Sequence, residues 1–456
     1  MQNDKRTEMF ESAPIPRAVA TMAIPNIVTT LVMVIYNMAD TFFIGQTGDA
    51  LQVAAISICM PVFTVFMAMG GLFGMGGNSS ISRALGAGKE ERAKHISAFC
   101  FYGCMGVSII LAIIILIFMT PVLHLVGASD ADFGYARSYL TILTIGSPFI
   151  VSSQNCANLL RGSGSPTASM VGNLTGTITN IILDPIFILV FGWGVPGAAA
   201  ATVLGNMVAF VYYIIYFNVS HVPLSLNIKN FTVHDHIPID VLSIGLPASL
   251  NQLLMSFAQV IMNNTITQYG DIPLAAMNVA MRTNMIVVFT QMGLCMGIQP
   301  LCGYNYASGN KKRLVSIFRF TAITTVILGT ILTIIIVIAR RSVVTAFIDN
   351  EEVIGYGIRM VVALQTSGPF VGLCFLSTSC LQGMGKAGRS LILTLSRQVL
   401  AYIPCIIILN ALFGLNRLIY AQPIADYVAV IVGFTICVVT LVRMKPSGRY
   451  APAQQE

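Results

Sequence analysis

Residues 96–120 read ISAFCFYGCMGVSIILAIIILIFMT, a run without a single charged side chain. A helix that crosses the hydrocarbon core of a bilayer needs roughly 20 mostly apolar residues, and this run is long enough. Outward from it in both directions, similar runs recur along the chain. They lie near residues 18–45, 52–77, 134–158, 166–191, 197–218, 238–266, 274–300, 315–339, 354–378, 388–413 and 419–442. The sequence therefore predicts an all-α integral membrane protein with twelve transmembrane helices.

The overall composition favours the same class. Of the 456 residues, 55% are hydrophobic and only 9% are charged. A soluble fold of this composition would leave large apolar patches in contact with water. The ten cysteines fall almost entirely within apolar runs and form no CxxC pair. We interpret them as small hydrophobic residues, so neither a disulfide framework nor a cysteine metal site is predicted.

The distribution of lysine and arginine predicts the orientation of the helices. Most cationic residues fall in the even-numbered connections and the two tails, among them Arg83, Lys89, Arg92, Lys311, Lys312, Arg313, Lys386 and Arg443. The odd-numbered connections hold Arg137, Arg340, Arg341, Arg359 and Arg417. By the positive-inside rule we expect both termini in the cytoplasm and the protein in the cell membrane. The net charge of +7 is then a topology signal, and no nucleic-acid partner is expected.

The two halves of the chain are related by a nearly constant shift. Pairs such as Pro25 and Pro247 match at a shift of 222, and others match at 221. The latter include Met75 and Met296, Gly76 and Gly297, Arg92 and Arg313, Gly162 and Gly383. Ordered matches in loops and helices alike predict an internal duplication. Because each half has an even number of spans, we expect two parallel six-helix repeats.

The predicted domain organisation follows from this duplication. The predicted segments are a cytoplasmic tail over 1–17, a first lobe over 18–220, a cytoplasmic linker over 221–237, a second lobe over 238–443 and a cytoplasmic tail over 444–456. The linker is polar and is the longest predicted cytoplasmic connection. A domain boundary is therefore expected in this linker.

Three acidic residues lie well inside predicted spans, namely Asp40, Asp184 and Asp426. An ionisable group inside a membrane is costly and is by default a functional candidate. Asp40 and Asp184 are predicted at similar depths. Asn180 shares the helical face of Asp184 through its i,i+4 spacing, and Thr202 is expected at the same level. Two carboxylates and two neutral oxygens predict a cation site, suited to Na+ as a metal or to shared protons.

Pro185 strengthens the prediction of a cation site. Proline has no N–H, so the carbonyl of Ile181 loses its helical partner and becomes a further potential ligand. A proton, a Na+ ion and a cationic substrate could then compete for the same negative charge. The alternative that Asn180 and Asp184 only join helices through hydrogen bonds stays open.

Asp426 differs from the other two acids. At a shift of 220 it corresponds to Asn206, and the second half has no acid equivalent to Asp184. Asp426 could contact a substrate or could pair with Arg282 or Arg397, and the sequence leaves these roles open. The candidate substrate-binding residues are Tyr36, Asn37, Asn155, Met262 and Asp426.

Several motifs carry a family resemblance. The run Asn180-Ile-Ile-Leu-Asp184-Pro185, followed by Gly192-Trp193-Gly194-Val195-Pro196-Gly197, resembles the multidrug and toxic compound extrusion (MATE) family. Further matching motifs are Leu160-Arg161-Gly162-Ser163-Gly164, its copy Leu381-Gln382-Gly383-Met384-Gly385, and the segment from Pro300 to Tyr306. The resemblance covers essentially the whole chain, from Pro25 to about Val439. It is closer to the bacterial and archaeal branches that carry an Asp in the first helix.

The resemblance implies a V-shaped two-lobe antiporter that expels cationic, often aromatic molecules by rocking between outward-open and inward-open states. In the branch with an Asp in the first helix, the residues matching Asp40, Asn180, Asp184 and Thr202 form the cation site, and the first helix bends when its Asp is protonated. We accordingly expect no enzymatic activity and no cofactor beyond a coupling ion, H+ or Na+. The expected partners are cationic drugs and membrane lipid, and the expected state is a monomer.

Two other functions stay open. A flippase for lipid-linked precursors belongs to the same broad superfamily, although such proteins usually carry more spans and a more cationic cavity. An intramembrane prenyl- or acyltransferase is suggested by Asn180 and Asp184, which echo half of an Asp-rich diphosphate motif. Such enzymes need further acids to hold Mg2+, whereas this chain has Pro185 and apolar residues there.

Overall fold

The computed structural model describes residues 2–46, 49–220, 222–347 and 350–444, with the side chains of residues 2–6, 37–42, 44, 45 and 50 excepted. Throughout this described part the regular elements are helices, and no β-strand occurs in it. Backbone polar groups inside a bilayer must be satisfied within the protein, and a helix does so within one segment. The all-α prediction is therefore confirmed.

The first half contains α1 (Gln2–Glu11), α2 (Ile15–Gly45), α3 (Ala50–Gly86), α4 (Glu90–Ile117), α5 (Met119–Leu125), α6 (Phe133–Gly162), α7 (Pro166–Pro185) and α8 (Val195–Val219). The second half contains α9 (Ile237–Thr267), α10 (Asp271–Ala307), α11 (Lys311–Ile338), α12 (Arg340–Thr345), α13 (Glu351–Gln365), α14 (Val371–Gly383), α15 (Ala387–Leu395), α16 (Ile403–Phe413), α17 (Leu415–Leu418) and α18 (Ala421–Arg443). Two π-helical segments, Ile186–Val190 and Ser396–Tyr402, continue α7 and join α15 to α16, and a 3-10 turn, Ile228–Asn230, lies between the halves.

Ten helical stretches in the described residues are long and apolar enough to cross a membrane. The two further passes are α6, which is rich in serine, threonine and asparagine, and the broken pair α13 and α14. Together they agree with the twelve predicted passes, and the protein is a multi-pass membrane protein. The broken pass is the irregularity that the apolar runs alone did not reveal.

The chain forms two compact units, each described here by itself. Unit 1 consists of Met1–Glu8 and Val32–Ser249, and unit 2 consists of Met9–Leu31 and Leu250–Glu456. The first part of α2 thus belongs to unit 2, and the first part of α9 belongs to unit 1. The lobe boundaries predicted from the repeat, 18–220 and 238–443, stay a prediction.

We call the first part of α9, which lies in unit 1, and the first part of α2, which lies in unit 2, the exchanged segments. In each unit a glycine packs against the exchanged segment. In unit 1, a Cβ added to Gly76 of α3 would lie only 2.1 Å from the carbonyl oxygen of Val241 in α9. In unit 2, a Cβ added to Gly297 of α10 would lie 2.6 Å from the Cα of Ala23 in α2. Small residues at such contacts let two backbones approach closely. Because Gly76 and Gly297 are equivalent in the repeat, the duplication preserved this contact.

Equivalent arginines fasten the segments that lead into α2 and α9. Arg92 of α4 donates to the carbonyl oxygen of Asp235 at 2.9 Å and pairs with the carboxylate of Asp240 at 2.8 Å. Arg313 of α11 donates to the carbonyl oxygen of Phe10 at 2.8 Å. Both arginines stand in the first turn of the third pass of their repeat. Arg92 therefore holds the chain close to the start of α9, and Arg313 holds it close to the start of α2.

We expect Gly76→Ala to lower the thermal stability of the detergent-solubilised protein. The added methyl group overlaps the Val241 carbonyl, and overpacking of this kind costs about 1–3 kcal/mol. The midpoint of heat-induced loss of the monodisperse peak in size-exclusion chromatography measures the effect. Gly106→Ala in α4 is the control, since a Cβ there meets no heavy atom within 4 Å. Equal midpoints for the two variants would contradict the close contact.

Candidate functional site

The geometry around Asn180 depends on a close approach of α7 and α8. A Cβ added to Gly205 of α8 would lie 2.6 Å from the carbonyl oxygen of Gly176 in α7 and 3.0 Å from Asn180 Cβ. Asn180 follows Gly176 by four residues, and Thr202 precedes Gly205 by three, so each pair shares one helical face. The glycines thus bring Asn180 and Thr202 to the same interface. The sequence analysis did not predict a role for Gly176 or Gly205, although their spacing from Asn180 and Thr202 was a usable signal.

Asn180, Asp184 and Thr202 come together in unit 1, and we call them the Asn180 cluster. Their exposed fractions are 4%, 0% and 5%. Asn180 Nδ2 lies 3.4 Å from Asp184 Oδ1 and 3.5 Å from Thr202 Oγ1. Both distances exceed the usual range for an N–H···O hydrogen bond. One amide group is therefore shared loosely between a carboxylate and a hydroxyl.

Tyr36 of α2 extends the Asn180 cluster. Its hydroxyl lies 3.3 Å from Thr202 Oγ1, and either atom could donate. Predicted as a substrate contact, Tyr36 therefore adjoins the predicted cation ligands. The side chains of Asn37 and Asp40 lie outside the described residues, so their predicted roles stay predictions.

The amide oxygen of Asn180 is the polar atom of the cluster that most needs a partner. Asn180 Oδ1 is buried and accepts no hydrogen bond from any described residue. An unsatisfied buried polar group costs about 1–3 kcal/mol, so its presence needs an explanation. Amide, carboxylate and hydroxyl oxygens are ligands of hard cations. Within the described part of the chain no group of three His, Cys, Asp or Glu side chains converges, and the described donors of the Asn180 cluster are one carboxylate and neutral oxygens.

The backbone beyond the Asn180 cluster is irregular, in keeping with the proline. Helix α7 ends at Pro185, and residues Ile186–Val190 continue it as a π-helix. The N–H of Phe191 bonds to the carbonyl oxygen of Ile186 at 2.9 Å. Such π-helical turns are rare and occur frequently at functional sites. The prediction of a liganding carbonyl at Ile181 stays a prediction.

The connection between α7 and α8 is fastened to the start of α3. Gln52 Oε1 accepts from the N–H of Val195 at 3.2 Å, and Gln52 Nε2 donates to Asp49 Oδ2 at 3.3 Å. The N–H of Leu51 donates to Asp49 Oδ1 at 2.9 Å and lowers the pKa of that carboxyl. Gly194 adopts a φ of 56°, which favours glycine. These bonds position the first turn of α8, two turns before Thr202.

In unit 2, Asp426 forms an ion pair with Arg397. Arg397 Nη2 and Nε lie 2.8 Å and 3.0 Å from Asp426 Oδ1, and the two residues are 6% and 3% exposed. Ser367 Oγ donates to Asp426 Oδ2 at 2.9 Å, and Gln422 Nε2 donates to Oδ1 at 3.0 Å. Of the roles that the sequence left open, the structure shows pairing with Arg397. The predicted substrate contact of Asp426 stays a prediction.

The network of Asp426 holds a break in the tenth pass. Helix α13 ends at Gln365 and α14 begins at Val371, and the residues between them form turns in place of a continuous helix. Donors from neighbouring helices satisfy this segment: Tyr427 Oη donates to the carbonyl of Thr366 at 2.6 Å, and Gln291 Nε2 to that of Gly368 at 2.7 Å. Irregular backbone at membrane depth is tolerated only where such partners exist.

The fourth pass, equivalent to the tenth, is continuous. Helix α6 runs unbroken from Phe133 to Gly162 with Pro148 inside it, although Pro369 stands at the repeat position in the break. The proline alone therefore does not break the helix. Asn206, which replaces Asp426 in the first half, donates to the carbonyl of Thr202 in its own helix at 2.9 Å. The break therefore occurs in the repeat that carries the ion pair between Asp426 and Arg397.

The remaining substrate candidates, Asn155 and Met262, are both fully buried at 0% exposure. Asn155 Nδ2 donates to the carbonyl of Cys100 in α4 at 3.0 Å. Met262 packs in the apolar core of unit 2. Their roles as substrate ligands stay predictions.

This architecture defines a polytopic membrane protein built from an internal repeat, with ionisable groups buried between helices, as is typical of secondary transporters. The model of the MatE family matches residues 25–186 and, a second time, residues 247–407. The chain belongs to the MatE family of membrane transporters. Because the two matches begin 222 residues apart and end 221 residues apart, they confirm the predicted duplication.

The chain is similar to curated relatives over nearly its whole length. It is 31% identical over 423 residues to the multidrug export protein MepA of Staphylococcus aureus (strain MRSA252), with 93% of each chain covered. It is 29% identical over 433 residues to MepA of Staphylococcus saprophyticus, covering 95% of this chain and 96% of the relative. A solved outward-facing conformation of a multidrug resistance MATE family transporter of the MOP superfamily superposes with a TM-score of 0.90 at 26% identity, covering 97% of this chain and 99% of the other.

We expect Asp426→Asn to destabilise the purified protein by about 3–5 kcal/mol, because it leaves the buried Arg397 charge without a counter-ion. The double variant Asp426→Leu with Arg397→Met removes both charges and should recover most of that loss. Thermal midpoints in detergent for the wild type, Asp426→Leu, Arg397→Met and the double variant measure the coupling. A double variant as unstable as the sum of the singles would show that the ion pair is not the interaction that matters.

Proposed function

We propose that the protein is a secondary active multidrug exporter, in which entry of H+ or Na+ drives expulsion of cationic small molecules by alternating access. The observation that carries this proposal is the buried Asn180 cluster with its unsatisfied amide oxygen. The names of the relatives support export of drugs, since both are multidrug export proteins.

Competition for one buried charge supplies the logic of exchange. Asp184 is fully buried, and a carboxylate inside a membrane protein is tolerated only when its charge is neutralised. A proton, a Na+ ion and a cationic substrate are alternative ways of neutralising it. When the entering ion and the substrate exclude each other, binding of one promotes release of the other, which is the requirement for antiport.

Asn180 is suited to two states of the cluster. Its Nδ2 donates to Asp184 and Thr202, whereas its Oδ1 accepts nothing from the described residues. A half-turn of the amide about its terminal bond would direct Oδ1 toward the same two side chains. Such a rotation needs no helix movement, since only the two ends of the amide exchange places. Without the ion, hydrogen bonds from Asn180 Nδ2 would hold the Asn180 cluster together. With the ion bound, Oδ1 would coordinate it beside the oxygens of Asp184 and Thr202.

The difference between the two units favours ion coupling in unit 1. In unit 2 the buried acid, Asp426, is already neutralised by Arg397. An acid with a permanent counter-ion is a poor site for a cation that must bind and leave. We therefore expect Asp184, with Asp40 of α2, to carry the coupling ion.

The setting follows from the same proposal. The excess of cationic residues in the even-numbered connections supports the cell membrane with both termini cytoplasmic. A monomer suffices for the proposed exchange, with H+ or Na+ as the coupling ion and no enzymatic step. The flippase and transferase alternatives receive no support from the relatives named above.

We expect Asp184→Asn and Asp40→Asn each to abolish ethidium transport into everted membrane vesicles while leaving expression and insertion unchanged. The amide keeps the shape of the side chain but removes the charge for which the ion and substrate compete. Asp132→Asn is a matched control, because Asp132 is buried and caps a connection by accepting from the N–H of Ser129 at 2.8 Å. Normal transport by both cluster variants would eliminate the cation-site hypothesis.

The hydroxyl of Thr202 offers a finer test. Thr202→Val preserves the side-chain shape and removes the oxygen, so we expect transport to require a markedly higher driving-ion concentration. Thr202→Ser keeps the oxygen and should stay close to the wild type. The concentration dependence of ethidium transport on the driving ion separates the two. If Val and Ser variants behave alike, the hydroxyl does not take part in ion binding.

Imposing the H+ and Na+ gradients separately on everted vesicles identifies the coupling ion. We expect one gradient to drive ethidium accumulation and its collapse by a selective ionophore to stop it. The wild type with neither gradient is the control. Accumulation that persists without either gradient would contradict antiport and point to a channel or facilitator.

A further inference from the structure

We propose that unit 2 binds the head group of an anionic phospholipid between α11, α13 and the α17–α18 segment. A cavity of about 450 Å³ opens there. Its polar lining consists of Arg340, Tyr356, Arg359, Asn416 and Tyr420. The rest of the lining is apolar, and the cavity lies at the end of the unit that carries the connections from α11 to α13. The site is separate from the Asn180 cluster, which belongs to unit 1.

The cavity has two cationic groups and no acidic one in its lining. Arg340 Nη1 donates to the carbonyl of Val337 at 2.9 Å, and Arg359 Nε donates to that of Gly355 at 3.3 Å. Both bonds stay within about one turn of the arginine, and neither guanidinium forms an ion pair with a carboxylate of a described residue. Several N–H groups on each arginine are therefore available to an anion.

The neighbouring Arg341, unlike Arg340 and Arg359, forms an ion pair with a carboxylate in the described part of the chain. Its Nη2 lies 3.0 Å from the carboxylate of Glu351, so its charge is compensated on the protein surface. Arg340 and Arg359 instead face the cavity. Arginines are disfavoured on the non-cytoplasmic side predicted for this connection, so two uncompensated ones in one cavity call for an anionic partner.

The chemistry of the lining suits a phosphate group. Guanidinium groups bind phosphate oxygens through paired, charge-assisted hydrogen bonds. The Arg359 guanidinium lies 4.9 Å from the ring centroid of Tyr356, and this cation–π contact orients it. The exposed amide of Asn416 adds a neutral donor for a phosphodiester or glycerol oxygen.

The apolar part of the cavity distinguishes a lipid from a free phosphate. Val337, Ile358, Val362, Leu415 and Ile419 form its apolar wall. One turn deeper toward the middle of the membrane, exposed apolar side chains continue this wall. They are Ile334 on α11, 51% exposed and three residues before Val337, and Ile424 on α18, 38% exposed and four residues after Tyr420. A phosphate at the arginines with acyl chains along these residues matches both the charged and the apolar part of the cavity.

Such a lipid would join three helices next to the broken pass. Arg340 is the first residue of α12, two residues after the end of α11, Arg359 belongs to α13, and Asn416 belongs to α17. Helix α13 ends six residues beyond Arg359, where the break begins. One bound head group would therefore hold the start of the tenth pass against its neighbours. The consequence is a protein whose unit 2 is stabilised by anionic lipid.

The test is native mass spectrometry of the detergent-purified full-length protein titrated with dioleoyl-phosphatidylglycerol or dioleoyl-phosphatidylcholine. We expect one tightly retained phosphatidylglycerol and no retained phosphatidylcholine. In Arg340→Gln/Arg359→Gln, phosphatidylglycerol affinity should fall about 10- to 30-fold, as expected for the loss of two basic contacts at a membrane surface. Arg137→Gln/Arg341→Gln removes the same net charge from the same predicted side and should bind like the wild type.

Each result bears on the proposal directly. Equal phosphatidylglycerol binding by the wild type and Arg340→Gln/Arg359→Gln would overturn it, as would an equal loss in the control variant. Displacement of the lipid by millimolar glycerol 3-phosphate would assign the site to a free phosphate monoester instead. Circular dichroism and size-exclusion chromatography of both variants test whether they are folded, so that a loss of binding by a folded variant reports on the cavity.

Discussion

The bilayer offers no water to a polar group, and the arrangement of the whole protein depends on this constraint. Every backbone N–H and C=O within the membrane needs a partner from the protein itself, which is why the described residues form helices. Where the tenth pass breaks, Gln291 and Tyr427 supply the missing donors. Charge obeys the same rule, since buried Asp426 is accompanied by Arg397, Ser367 and Gln422. In the broken tenth pass and at Asp426, the irregular backbone and the buried charge are therefore accompanied by partners from neighbouring helices.

Duplication supplied one scaffold twice, and the two copies then handle buried charge differently. Unit 1 keeps a continuous fourth pass and gathers Asp184, Asn180 and Thr202 around a loosely shared amide. Unit 2 has a broken tenth pass and an acid held in a tight ion pair. The long contacts of the Asn180 amide leave room for a change of partners, whereas the ion pair of Asp426 stabilises the fold. This division supports a single coupling site in a protein of two repeats.

Close helix contacts determine where the polar groups meet. Gly176 and Gly205 let α7 and α8 approach until their backbones touch, and this distance allows short side chains such as Asn180 and Thr202 to reach each other. Gly76 and Gly297 do the same for the exchanged segments of α9 and α2. Since lipid tails are as apolar as leucine, packing of this kind and hydrogen bonds hold membrane helices together. The glycines are therefore part of the site although they bind nothing.

The sequence by itself determined the membrane class, the twelve passes, the duplication and the family, because these depend on apolar run length and on local motifs. It also brought Asn180 and Asp184 to one face, since i,i+4 spacing is a local property. Only the tertiary structure decided that Asp426 pairs with Arg397 across 29 residues, that the tenth pass breaks while the fourth does not, and that Arg340 and Arg359 share a cavity. The physical reason is that partners of a buried charge come from other helices. Sequence spacing within one helix carries no record of which neighbouring helix will supply them.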